Sequence, residues 1–89
     1  VNQKPSIGRI VHVVMPNGDH RPAIVTNVFG NLVNAHVFLD LANDRHNENV
    51  ANLRNNCGAD VEGTAACLYS ISPDEDLKAP RTWHWPERE

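Results

Sequence analysis

The residues best equipped for chemistry are the run Trp83-His84-Trp85 and three arginines, Arg9, Arg21 and Arg81, that stand in or beside apolar segments. In an extended strand Trp83 and Trp85 share one face and His84 takes the other. Two indoles on one face either fill the core of a small domain or form a stacking platform for a planar ligand such as a nucleobase. A guanidinium beside apolar residues must snorkel to water, pair with a carboxylate such as Asp40, or meet an anion. Its planar fork matches phosphate bidentately. The expected ligand-binding set is therefore Arg9, His12, Arg21, Trp83, His84 and Trp85, with a nucleotide or another anionic small molecule as the partner.

Other chemistries lack their patterns. The five histidines, His12, His20, His36, His46 and His84, form no His-x3-His pair and join no Cys-x2-Cys. No metal site and no cofactor are expected, and chelators should leave the fold unchanged. Residues 40–49 are acidic and Asn-rich but lack the glycine and glutamate of a calcium loop. Ser6, Ser70 and Ser72 sit in no Gly-x-Ser-x-Gly turn, and no Gly-rich loop opens a helix. Asp74-Glu75-Asp76 is the one tight carboxylate group, and it reads as a solvated turn. The expectation is a binder, not an enzyme.

These residues must be positioned by short strands. Residues 7–14, Ile-Gly-Arg-Ile-Val-His-Val-Val, are β-branched and apolar on both faces, as in a central or barrel strand. Asn17-Gly18 marks a turn after Pro16. A second strand covers residues 21–29, Gly30-Asn31 turns the chain, and a third covers residues 32–40. There Val33, Ala35, Val37 and Leu39 share the core face, and Asn34, His36, Phe38 and Asp40 share the other. Residues 41–64 are dense in Asn and Asp. They form either one long loop or a loop with a short helix over 44–54, capped by Asn43 or Asp44. A fourth strand is expected over 66–71 and a fifth over 82–85. Five short strands joined by turns predict a mainly β fold, a small antiparallel barrel or rolled sheet of SH3-like or OB-like size with one long loop.

The 89 residues make one domain, with a hydrophobic fraction of 40% that fits a folded chain. A net charge of −3 argues against duplex nucleic acid as the main partner. No apolar run reaches the ~20 residues needed to span a bilayer, and no secretory leader is visible, so the cytoplasm is the expected compartment. Cys57 and Cys67 read as reduced thiols rather than a disulfide framework. A domain this small often recruits a second subunit, so a homo-oligomer is expected.

Two stretches, Lys4-Pro5-Ser6-Ile7-Gly8-Arg9-Ile10-Val11-His12 and Thr82-Trp83-His84-Trp85-Pro86-Glu87-Arg88, together with Arg21-Pro22-Ala23-Ile24-Val25, resemble a group of short uncharacterised proteins encoded by bacteriophages and bacterial genomes. The resemblance implies a phage or prophage setting, and with it the cytoplasm of a bacterial host cell. It points to a non-enzymatic binding protein that sequesters a nucleotide signal of host defence. The alternative is a structural or protein-interaction module, such as a virion or assembly component.

Overall fold

The computed structural model describes residues 4–44 and 48–86. Six strands and two short helices follow one another: β1 (Ile10–Val14), β2 (His20–Phe29), β3 (Leu32–Phe38), α1 (Leu41–Asp44), α2 (Asn49–Asn56), β4 (Asp60–Glu62), β5 (Ala65–Pro73) and β6 (Thr82–His84). β1 lies between β2 and β6, β2 pairs β3, β3 pairs β5, and β5 returns to β6, so five strands close a barrel. The mainly β barrel expected from the sequence is thus present. Its antiparallel character is corrected in one place, because β5 and β6 run parallel, with Ser72 opposite Thr82 and Pro73 opposite Trp83. The reason is the connection: residues 74–81 carry the chain back along the barrel before β6 begins, instead of reversing it in a hairpin.

β4 and β6 share one edge of β5. β4 pairs with Ala65 to Cys67, and β6 takes over at Ser72. Between them Ser70 adopts φ 54°, and the β3–β5 register shifts from Ala35↔Leu68 to Val33↔Ile71. The bulge bends β5 away from one partner and toward the next. Its freed N–H is met by the Asn34 side-chain oxygen at 2.8 Å.

The hairpin of β2 and β3 turns at Gly30-Asn31, with Phe29 opposite Leu32. Val33, Ala35 and Val37 are buried, Asn34 and His36 are half-buried, and Phe38 is exposed. Leu39, just past the strand, packs against the core from its margin. The core joins these residues to Val11, Val13, Met15, Ala23, Val25, Leu68, Ile71 and Trp83. Period-two alternation explains this set, since a slip of one residue would turn every apolar side chain to water.

Residues 41–64 are neither one loop nor one helix over 44–54. α1 ends at Asp44 and α2 starts at Asn49. Leu53 is the one large apolar side chain of α2 that is fully buried. β4 was missed because only Val61 of its three residues is apolar. His46 lies outside the described residues. No helix among the described residues is long and apolar enough to cross a membrane.

Candidate metal centre

His12 occupies the middle of β1, and the register places it opposite His84 of β6. On its other side it faces Pro22 of β2, and His20 stands two residues before Pro22, opposite Val14. Alternation therefore puts His12, His20 and His84 on the outward face of three neighbouring strands, while Val13 and Trp83 between them point into the core. Their ring centroids are 5.5 Å apart for His12 and His84, 4.6 Å for His20 and His84, and 6.1 Å for His12 and His20. The rings meet edge-on rather than in a stack, with interplanar angles of 82° and 67° at His84. One nitrogen of each imidazole lies within 4.8 Å of the other two. A tetrahedral ion with nitrogens at about 2.0–2.1 Å holds them about 3.4 Å apart, so binding draws the three rings closer together. His12 and His20 are half-buried and His84 is fully buried.

The turn that carries His20 is fastened from behind. The Arg21 guanidinium donates from Nε to Asp44 Oδ2 at 3.0 Å and from Nη2 to Asp44 Oδ1 at 2.8 Å. Its Nη1 donates to the His20 carbonyl at 2.9 Å. The fully buried Asp44 also accepts from the Asp40 N–H at 2.9 Å and from Asn49 Nδ2 at 2.9 Å. Asn49 in turn exchanges hydrogen bonds with Asn17 of the β1–β2 turn, each at 3.1 Å. Burial pushes the Asp44 carboxyl up, but the hydrogen bonds from Arg21, Asn49 and the Asp40 N–H, together with the charge of Arg21, outweigh it and hold the group below its ordinary value. The hydrogen bond to Asp44 is the main cause that raises Arg21 above its own, against burial.

The six residues expected to share one ligand site divide between the two faces of the sheet. Trp83 is buried in the core, and its indole N–H donates to the Asn31 carbonyl at 3.1 Å. Trp85 packs against it edge-on at 5.4 Å, and Arg9 lies over the Trp85 ring at 5.0 Å. His12 and His84 point the other way. Arg21 finds its carboxylate in Asp44, at 2.8 Å, with Asp19 more distant at 3.5 Å. It lies opposite Val13, four positions along β1 from Arg9, or roughly 13 Å at ~3.3 Å per residue. The two arginines therefore do not converge. Arg81 donates to the Asn56 carbonyl at 3.2 Å and borders a cavity of about 330 Å³ with Tyr69, Ser70 and Ser72. None of the three clustered histidines lines that cavity.

The acidic turn has structural duties beyond solvation. Asp74 accepts from the N–H groups of Leu77 and Ala79, which lowers its pKa. Glu75 accepts from the Trp85 N–H at 2.8 Å. Cys57 and Cys67 are free thiols, and Cys67 Sγ lies 3.9 Å from His36 Nδ1.

No ligand pattern is visible along the chain, yet the fold brings His12, His20 and His84 together. Nothing in the spacing along the chain links His20 to His12 and His84, because strand pairing assembles the cluster. The signal available was the out-facing alternation that puts His12 and His84 on the face opposite Val13 and Trp83. No protein-family model, curated protein or solved structure matches this chain.

Proposed function

We propose that this chain is a non-enzymatic binding module whose ligand is a divalent transition-metal ion, zinc foremost, held by His12, His20 and His84. One observation carries the reading: ligand atoms from three different strands lie within 4.8 Å of one another. Imidazole nitrogens suit zinc, copper, iron and nickel. The Arg21–Asp44–Asn49 network fixes the backbone that carries His20, through the bond from Arg21 to the His20 carbonyl.

The reading of a nucleotide signal sequestered in a phage setting has narrower support. Of its six residues, Trp83 fills the core, Arg21 is engaged by Asp44, and His12 and His84 lie on the opposite face, leaving Arg9 and Trp85 as a partly exposed cation–aromatic pair. The protein-interaction reading draws on apolar side chains that face outward on β1, β2 and β3: Ile10 opposite Ile24, and Phe38 nearby. A homo-oligomer assembled on that face is part of the proposal.

The test is titration of metal-free protein with Zn(II) by calorimetry and with Co(II) by visible absorption. One equivalent bound, with ligand-field bands of low symmetry for cobalt, is the expected result. His12→Gln and His20→Gln should each abolish it, and His36→Gln should not. Binding undiminished in both variants removes the proposal.

A further inference from the structure

We propose that the metal is the clasp of the barrel: by joining β6 to β1 and β2 it controls whether the last strand is docked. This rests on the metal reading above. β6 has three residues and meets each neighbour through only two residue pairs, His12↔His84 and Val13↔Trp83 on one side, Ser72↔Thr82 and Pro73↔Trp83 on the other. That is the shortest ladder in the barrel, whereas β1 and β2 pair over five positions. Short ladders with few buried contacts open first. Yet β6 carries two of the most consequential buried groups, the Trp83 indole inside the barrel and the His84 imidazole outside it.

The cluster lies across this seam. His12 and His84 face each other from its two sides although 72 positions separate them in sequence. His20 adds the strand beyond. An ion bound to all three bridges β2, β1 and β6 at once, and undocking β6 requires breaking a metal–nitrogen bond. Metal loss then frees β6 and lets water reach Trp83, while the hairpin of β2 and β3, held by its own long ladder, stays paired.

Hydrogen exchange of the full chain, metal-free and zinc-loaded, tests this, with calorimetry reporting binding separately. Zinc should slow exchange at least tenfold at the amides of β6 and of its neighbours Asp74, Arg81 and Trp85. Those amides are bonded to Trp83 O, Val14 O and Glu75. The β2–β3 amides should change by less than threefold. His20→Gln, chosen because His20 is half-buried whereas His84 is fully buried, should lose both zinc binding and the seam protection while keeping the metal-free exchange pattern. Zinc that binds but slows all amides alike, or none, overturns the clasp and leaves the metal site standing. Zinc that fails to bind overturns both. Seam protection that still rises with zinc in His20→Gln overturns the three-strand bridge.

Discussion

Replacing Asp44 with asparagine isolates the buried ion pair. Every group that contacts the carboxylate is a donor: Arg21 Nη2 and Asn49 Nδ2 at one oxygen, Arg21 Nε and the Asp40 N–H at the other. Whichever way the new amide turns, its NH2 confronts two donors. It also leaves the Arg21 guanidinium, 12% exposed, with only its longer contact to Asp19 at 3.5 Å as a counter-charge. Breaking one partner of a buried pair costs about 3–5 kcal/mol, a large share of a stability of about 5–15 kcal/mol. For a domain of this size each kcal/mol moves Tm by about 4–8 °C, so Asp44→Asn should melt ~12 °C or more below the parent at neutral pH. Circular dichroism melts and urea titrations measure it. Because the folded pKa of Asp44 is lowered, its contribution is full above the unfolded value of about 3.9 and is lost as pH falls through the folded value. The urea midpoints of parent and variant should therefore converge below about pH 4. A Tm loss under ~4 °C, or a gap that persists in acid, refutes a buried, charge-dependent clamp. The double variant Arg21→Met with Asp44→Leu should recover most of the loss, since a well-packed apolar pair often matches a buried ion pair.

Zinc at 100 times its Kd should raise stability by about 2.7 kcal/mol, read as a rise in Tm that EDTA reverses; no rise despite stoichiometric binding contradicts a site specific to the folded state. Trp83→Ala should cost about 3–5 kcal/mol as a core truncation. Arg9→Ala should cost no more than about 1 kcal/mol, the worth of an exposed cation–aromatic contact, and urea midpoints separate the two. Sedimentation at high micromolar concentration should show a dimer or larger species that Phe38→Lys dissociates, and a monomeric parent protein removes the apolar face as an interface.

Much of the barrel was legible because alternation is a local signal. Val33, Ala35 and Val37 announce their buried face from neighbours alone, and Asn17-Gly18 and Gly30-Asn31 announce their turns. Long-range pairing was not legible. Nothing near Thr82 says that β6 will run parallel to β5, and nothing near His12 says that His84 will face it. Arg21 is legible as a charge needing Asp40 or another carboxylate, but not which one. The carboxylate four residues later takes that role, because the turn of α1 brings Asp44 inward and leaves Asp40 exposed. The tryptophan run illustrates the same limit: alternation separated His84 from the indoles, yet only the closed barrel decides that Trp83 is core and Trp85 its partly exposed neighbour.

The position of β6 in the chain order has a consequence for synthesis. β1 precedes every other described strand, and its second hydrogen-bonding edge waits for β6, the last described element. Until then a nascent chain presents that edge and the far end of β5 to any strand nearby, in a topology whose distant pairings fold slowly. Open edges of this kind template association between chains. A product interrupted before Thr82 would keep the hairpin of β2 and β3 but lose the strand that covers both edges. It should accumulate as aggregate rather than as a smaller soluble domain.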